Sequence, residues 1–147
     1  MRGWMDARAA ARRRMAVLGG AGLLMTAAAC ASPSAATTDF ACRVEGAKLL
    51  QPAATDEAVC ARMKATLDKA LGTSSRAVAD ARAAGGADWV QVDVRFRRPG
   101  IASAQATRAR GGAVVAHPEL NIAVSDRPLG LDTVDRLAGE IAGQLTR

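Results

Sequence analysis

The sequence predicts an α+β domain in which two amphipathic helices pack on a small antiparallel sheet of three to four strands. Three observations predict this fold. Apolar residues recur at helical spacing in segments 55–72 and 132–145; the segment WVQVDVRFR alternates apolar and polar residues; and Pro-Gly and Gly-Gly pairs separate the segments after it. Two helices on the apolar face of a meander would bury every apolar stripe in one core. The predicted order is therefore β-α-β-β-β-α.

The first helix is predicted between Thr55 and Gly72, after a short strand around residues 42–44. Asp56 and Glu57 occupy its first turn, where acidic groups interact favourably with the positive end of the helix dipole. Glycine at position 72 is a typical helix end. The apolar stripe of this helix consists of Val59, Met63, Leu67, Ala70 and Leu71.

A second helix is predicted from Asp132 to the end of the chain. Asp132 can cap its first turn, and Asp135 stands three residues later, in the position of a capping box. Its apolar stripe consists of Val134, Leu137, Ala138, Ile141 and Leu145. The alanine-rich segment 74–88 is read either as a loop or as a short helix, and we expect a frayed helical turn.

Three antiparallel strands are predicted between the two helices. Residues 89–97 form the clearest of them, because their alternation is unbroken. A Pro-Gly turn leads to a second strand over residues 101–110, and a Gly-Gly pair then reverses the chain again. The third strand is predicted from Val114 to Ser125. Pro118 lies within it and has no N–H to donate, so this strand is expected at an edge of the sheet or with a bulge.

The first thirty residues have the pattern of an export signal. Arginines at positions 12 to 14 precede the apolar run MAVLGGAGLLMTAAAC, and the polar segment ASPSAATTD follows it. Glycines interrupt the run, which is shorter than the roughly 20 residues that a membrane-spanning helix needs. We therefore expect a signal peptide over residues 1–29, a flexible tether over residues 30–39 and a single α+β envelope domain over residues 40–147.

The end of the apolar run, TAAAC over residues 26–30, resembles the lipobox of bacterial lipoproteins. This resemblance covers the leader alone, and it implies a diacylglyceryl thioether on Cys30. The alanine after the cysteine is similar to lipoproteins of the outer membrane, which usually lack aspartate there, so the implied location is the periplasmic side of that membrane. Ordinary signal cleavage before Ser32 and an uncleaved anchor are the alternatives. The arginine triplet also resembles a twin-arginine signal. Either Met1 or Met5 could be the initiating methionine.

Acylation or removal of Cys30 leaves two cysteines, Cys42 and Cys60. In an oxidising compartment such a pair usually forms a disulfide. The alternative is a metal site, which needs more ligands than two thiols and the distant His117 provide. The sequence therefore predicts one disulfide, Cys42–Cys60, and no bound metal.

Most of the excess of basic over acidic residues lies in the predicted leader. The whole sequence has 20 basic and 14 acidic residues, but five arginines and one aspartate precede Cys30. The remainder has 15 basic and 13 acidic residues, which is close to neutral. Nucleic-acid binding is therefore not expected, because the excess of charge that would meet phosphate belongs to the leader.

No recognised catalytic motif is present in the sequence. His117 is the only histidine, so Ser-His-Asp and Cys-His sets lack a part, and phosphate loops and dinucleotide fingerprints are absent. We predict no catalytic residue and no cofactor. One basic group could face an anionic envelope partner, with a solvated strand face as the alternative. It consists of Arg95, Arg97, Arg98, Arg108 and Arg110, which would gather toward the hairpin if the two strands pair.

Two functional hypotheses follow from these observations. The first is a non-catalytic, lipid-anchored lipoprotein domain, tethered to the membrane through Cys30, that binds an envelope protein or an anionic envelope polymer. The second is a soluble periplasmic hydrolase or small-ligand carrier, whose site is assembled from residues that look ordinary in sequence. A concave pocket with convergent titratable groups would favour the second hypothesis, and a flat surface would count against it.

Overall fold

Two helices and six strands make up the part of the chain that the computed structural model describes, residues 37–98 and 100–147. The predicted signal peptide, Cys30 and most of the predicted tether lie outside these residues. The strands are β1 (Asp39–Glu45), β2 (Arg76–Ala77), β3 (Trp89–Arg97), β4 (Ile101–Arg110), β5 (Ala113–Ala116) and β6 (Leu120–Ala123). The helices are α1 (Asp56–Leu71) and α2 (Leu131–Leu145), and a 3₁₀ turn covers Ala47–Leu49.

The strands form one mixed sheet in the order β2-β1-β3-β4-β5, and β6 pairs with β4 beside β5. Strand β1 is parallel to both β2 and β3, whereas β3, β5 and β6 are antiparallel to β4. The prediction of a small antiparallel sheet is therefore wrong, although the α+β class is confirmed. The reason is α1: a helix between two paired strands forms a crossover, and such a connection makes its strands parallel.

Helix α1 lies where the sequence predicts it. Its first turn is capped by the Thr55 hydroxyl, which accepts a hydrogen bond from the Ala58 N–H at 3.2 Å. Its end is Gly72, which has a φ of 64° and donates its N–H to the Asp68 carbonyl. The side chains of Val59, Met63 and Leu67 are buried. The first three residues of the predicted stripe thus form the face that packs in the core, while Leu71 is partly buried and Ala70 is exposed.

Helix α2 begins one residue earlier than predicted, and its capping differs. Gly130 is the N-cap, and its N–H donates to the Thr133 hydroxyl. Asp132 and Asp135 are not capping groups: Asp132 pairs with Arg127, and Asp135 reaches across to α1. The predicted capping box at these two aspartates is therefore wrong, because both carboxylates find cationic partners in other segments.

The core lies between the two helices and one face of the sheet. On β3 the even-numbered residues from Val90 to Phe96 point to this face, as their alternation predicts. Opposite Val92, Val94 and Phe96, the residues of β4 are three alanines that are nearly inaccessible to solvent: Ala106, Ala104 and Ala102. Alanine at these positions leaves room for the larger side chains of α2, chiefly Leu137 and Ile141.

The other face of the sheet is covered at one end by the segment that precedes β3. Residues 76–77 form β2, and the following turn packs Ala81 against Trp89 and Ala109. The helical turn expected over residues 74–88 is thus largely replaced by a short strand and a turn. Asp39, the last residue of the predicted tether, already belongs to β1 and is buried.

The third predicted strand is divided in two. Strands β5 and β6 are separated by residues 117–119, and both pair with β4. Pro118 lies in the break, which agrees with its inability to donate to a strand ladder. The His117 N–H donates to the Ala106 carbonyl and so keeps the break attached to the sheet.

Cys42 of β1 and Cys60 of α1 form a disulfide, with their Cα atoms 5.6 Å apart. The predicted pairing is confirmed, and it joins the first strand to the first half of α1. Within residues 37–98 and 100–147, no helix is both long enough and apolar enough to cross a bilayer.

Candidate functional site

The strand register divides the five arginines that the sequence analysis singled out. Strands β3 and β4 do pair across the predicted turn, but Arg97 lies opposite Ile101 and Arg108 lies opposite Val90. Arg108 and Arg110 therefore lie at the opposite end of the hairpin from Arg95, Arg97 and Arg98. The expectation that all five gather toward the turn is not met, because β4 carries its arginines at its far end.

The same register places the arginines on different faces of the sheet. Arg108 lies on the helix-covered face, and its Nη1 donates to the Leu145 carbonyl at the end of α2, at 2.6 Å. Arg95 lies on the other face, where its Nε is 3.5 Å from a Glu45 carboxylate oxygen. Arg108 thus satisfies a helix end rather than presenting a free charge to a partner.

Arg97 and Arg98 instead belong to a cleft at the end of the sheet, which we call the cationic cleft. Three segments surround it: the 3₁₀ turn after β1, the β3–β4 turn and the β6–α2 connection. Its volume is about 500 Å³. Its lining residues are Lys48, Leu49, Gln51, Arg97, Arg98, Gly100, Val124, Ser125, Arg127, Pro128 and Leu129.

Backbone contacts hold these three segments together. The Val124 N–H donates to the Gly100 carbonyl at 2.9 Å, and the Gln51 N–H donates to the Leu129 carbonyl at 2.7 Å. Gly100 has a φ of +74°, and a Cβ atom there would overlap the Val124 carbonyl oxygen. The close approach of the two turns therefore requires glycine at position 100, and it fixes the width of the cleft.

The charge of the cleft is strongly positive. Within the described part of the chain, no carboxylate lies within ion-pair distance of Lys48, Arg97 or Arg98. Arg127 is the exception, because its Nη1 lies 2.8 Å from a carboxylate oxygen of Asp132. The cleft thus presents three cations without a counter-charge and a fourth that is already paired.

The lining supplies groups that donate hydrogen bonds to anions. Among the described residues that line the cleft there is no histidine, cysteine, aspartate or glutamate, and Ser125 is their only hydroxyl. Guanidinium and ammonium groups stay protonated at neutral pH, so they donate hydrogen bonds to anions but do not exchange protons with a substrate. An unassisted serine is a weak nucleophile.

The carboxylates with shifted pKa values lie outside the cleft. Hydrogen bonds from Arg62 lower the pKa of Asp135, with partial burial opposing them and the Thr66 hydroxyl adding to them. For Asp80, the Ala83 N–H is the largest of several groups that lower the pKa. The hydrogen bonds to Asp135 join α2 to α1, whereas those to Asp80 come from the backbone of its own turn.

A metal centre finds no support in the part of the chain that is described. No group of three or more histidine, cysteine, aspartate or glutamate side chains there is arranged to hold an ion. Both thiols considered as ligands, Cys42 and Cys60, are consumed in the disulfide. His117 lies in the break between β5 and β6 and belongs to no such group among the described residues.

Sequence reasoning missed Lys48 and Arg127. Each follows the carboxyl end of a strand, β1 and β6 respectively, and these ends meet the end of β3 at one edge of the sheet. Recognising β1 as parallel to β3 would have brought Lys48 beside Arg97. Cys30, the predicted lipidation site, lies outside the described residues.

Comparison with known proteins gives little further information. No known protein family matches the chain, and no curated protein matches it. Among solved structures, the chain is similar to one described as "Crystal structure of uncharacterized protein", at 14% identity, over 75% of this chain and 94% of that one. The TM-score of this match is 0.35, which carries no conclusion about fold or function.

Proposed function

We propose that this protein is an exported, lipid-anchored and non-catalytic domain that binds another component of the cell envelope through the cationic cleft. The observation that carries the proposal is the presence of Lys48, Arg97 and Arg98, without acidic partners, around one concave site. Cations that contribute to folding normally have a partner, as Arg76 has in Asp39. A set of unpartnered cations in one cavity is available to an external anion.

The leader and the cysteines support the exported location. The lipobox-like end of the leader supports acylation of Cys30 on the outer side of the inner membrane, and a tether of about ten residues would then separate the lipid from β1. The disulfide supports an oxidising compartment, because cytosolic thiols are kept reduced. An anchored domain of this kind would hold its cleft close to the membrane surface.

The anchor is tested by labelling cells with a fatty-acid analogue. We expect label on the wild-type chain and none on Cys30→Ser, because the thioether needs the cysteine sulfur. The matched control is the Cys42→Ser, Cys60→Ser variant, which keeps Cys30 and should remain labelled. Equal labelling of wild type and Cys30→Ser would contradict the anchor; an exported chain without label would favour ordinary signal cleavage before Ser32.

The binding role is tested by capture from envelope extracts. We expect the wild-type domain to retain an anionic component that a Lys48→Gln, Arg97→Gln, Arg98→Gln triple variant does not retain. Arg110→Gln is the control, since Arg110 is exposed and lies outside the cleft. Identical capture by the wild type and the triple variant would remove the cleft as the binding site.

A second candidate function is a periplasmic carrier of a small anionic ligand. The volume of the cleft favours it, because about 500 Å³ lies within the usual range for small-molecule sites. A carrier would copurify with its ligand, so native mass spectrometry of the protein from the envelope would show an added mass that the triple variant lacks. A hydrolase has less support, since the lining offers no general acid or base.

A further inference from the structure

We propose that the ligand of the cationic cleft is a phosphate ester that carries at least two phosphate groups. This inference rests on the proposed function and adds the chemical class of the bound component. It follows from the number of unpartnered cations, from their distribution around the cleft and from the apolar residues beside them.

The number of cations sets the charge of the ligand. Lys48, Arg97 and Arg98 have no carboxylate partner among the described residues, while Arg127 is paired with Asp132. A single carboxylate would leave most of this charge uncompensated. A phosphate monoester carries about −1.5 to −2 at neutral pH, so two phosphate groups match three to four cations.

The distribution of the cations favours phosphate over carboxylate. Lys48, the Arg97–Arg98 pair and Arg127 come from three different segments, so they reach the cleft from different sides. A phosphate group presents three terminal oxygens and can accept from several directions, whereas a carboxylate presents two oxygens in one plane. The guanidinium fork matches either group, but the three terminal oxygens of phosphate can accept from more forks, and from more directions, than the two oxygens of a carboxylate.

The apolar residues of the lining indicate an ester rather than free phosphate. Leu49, Val124, Pro128 and Leu129 share the cleft with the cations. Inorganic phosphate would leave these side chains in contact with water only. The carbon body of an ester, such as a sugar or a lipid headgroup, can cover them while its phosphates meet the cations.

The Arg127–Asp132 pair offers an internal check on this assignment. Because Asp132 lies within 2.8 Å of Arg127 but does not line the cleft, its removal frees a fourth cation without altering the lining. We expect Asp132→Asn to tighten the binding of a diphosphate by about threefold, the gain from releasing one half-exposed ion pair. A purely structural role of Asp132 would not change the affinity for diphosphate.

The test uses the full chain carrying Cys30→Ser, so that no lipid is attached, and pyrophosphate as the minimal diphosphate probe. Calorimetry is expected to show binding that weakens with added salt. Inorganic phosphate and citrate are the comparison anions, and both are expected to bind about tenfold more weakly. Inorganic phosphate offers fewer oxygens to the cations, and citrate holds its oxygens in planar carboxylate pairs that accept from fewer directions. Backbone amide shifts on titration should concentrate at Gly100 and Ser125.

Single arginine substitutions test whether pyrophosphate binds in the cationic cleft. Arg97→Gln and Arg98→Gln should each weaken pyrophosphate binding by about tenfold, the loss of one charge-assisted contact. Arg110→Gln should change it by less than about twofold, because only the screened long-range charge is removed. Citrate binding as tightly as pyrophosphate, or equal losses in Arg97→Gln and Arg110→Gln, would overturn the assignment.

Vesicles distinguish the source of the phosphate. Association with vesicles that contain a diphosphate lipid, reversed by pyrophosphate, would support a lipid headgroup; pyrophosphate binding without vesicle association would support a soluble ester. Binding to vesicles of any anionic lipid without pyrophosphate binding would indicate a membrane-surface contact and overturn the proposal. One outcome separates this proposal from the proposed function. If pyrophosphate does not bind, but the triple variant still fails to capture the envelope component that the wild type captures, the ligand is not a diphosphate ester and the proposed function is retained.

Discussion

The two ends of the sheet carry similar numbers of cations but use them differently. At the end where β3 begins, which we call the partnered end, Arg76 contacts Asp39 at 2.8 Å, Arg108 contacts the Leu145 carbonyl and Arg82 lies over the Trp89 ring. At the cleft end, Arg97 and Arg98 have no carboxylate partner among the described residues. Three arginines therefore contact the fold at the partnered end, where Arg110 alone among the described arginines does not, whereas neither Arg97 nor Arg98 does so at the cleft end.

This difference has a consequence for stability. Asp39 is buried, with its side chain 2% exposed, so removal of its cation leaves a carboxylate that water cannot solvate. An exposed arginine without a partner contributes little to the free energy of unfolding, and its loss is tolerated. Substitutions at the partnered end should act on stability, and those at the cleft end on binding.

The largest expected effect comes from the disulfide, which lies beside the partnered end and shares a shallow cavity with Phe40, Ala77 and Val78. The Cys42→Ser, Cys60→Ser variant should be less stable than wild type by about 3 kcal/mol, the chain-entropy value for a loop of this length. The two cysteines are 18 residues apart in sequence. Denaturant unfolding of the oxidised wild type and the variant measures the difference.

Reduction of the wild type provides the control, because it opens the same loop without any change of the amino-acid sequence. It should reproduce most of the loss. Equal stability of the oxidised wild type and the double variant would show that the crosslink is absent or contributes nothing.

The next largest effect should separate the two ends directly. Arg76→Ala leaves Asp39 without its cation and should cost about 2 kcal/mol, less than a fully buried pair because Arg76 is half exposed. Arg97→Ala should change the free energy of unfolding by less than about 0.5 kcal/mol. Chemical denaturation of both variants tests the comparison, and equal losses would abolish the distinction between the two ends.

The parts of the fold that could be predicted are those with a local signal. Thr55 and Gly72 bound α1 through side-chain capping and a left-handed residue, both of which depend on neighbours within one turn. The alternation of β3 is unbroken, so its buried face is readable without knowledge of its partners. The disulfide could be predicted by counting, since two cysteines remained after the leader.

The parts that could not be predicted depend on contacts between distant segments. The parallel pairing of β1 with β3 spans the whole of α1 and leaves no mark in either strand beyond ordinary alternation. For the third strand, antiparallel pairing with β4 follows from the predicted meander, but Pro118 predicted an edge position or a bulge rather than a division into β5 and β6.

The cationic cleft is the clearest case of such dependence. Lys48, Arg97 and Arg127 are separated in sequence and unremarkable singly, and the sheet brings them to one edge. From the sequence, only Arg97 and Arg98 of the cleft could be predicted as part of a basic surface. The same prediction included Arg108 and Arg110, which lie at the partnered end.

The smallest expected effect concerns an arginine of intermediate character, Arg62 of α1. It is half exposed, but it contacts Asp135 of α2 through two hydrogen bonds, of 2.7 and 2.6 Å. Asp135→Asn should lower the free energy of unfolding at pH 7 by about 0.5 to 1 kcal/mol, the range for partly exposed pairs. The expected loss of unfolding free energy at the Arg62 pair thus lies between the loss at Arg76, whose partner is buried, and that at Arg97, which has no carboxylate partner among the described residues.

The pH dependence of this loss identifies its cause. Hydrogen bonds from Arg62 lower the pKa of Asp135 in the folded state, so the carboxylate binds its proton more weakly there than in the unfolded chain. The stabilisation is then complete above the unfolded pKa, about 3.9, and is lost as the pH falls through the lower folded value. The difference in unfolding free energy between wild type and Asp135→Asn should stay constant from about pH 5 to 8 and shrink below about pH 4. A difference that persisted in acid would mean that the asparagine disturbs helix packing, rather than removing a charge that ties α2 to α1.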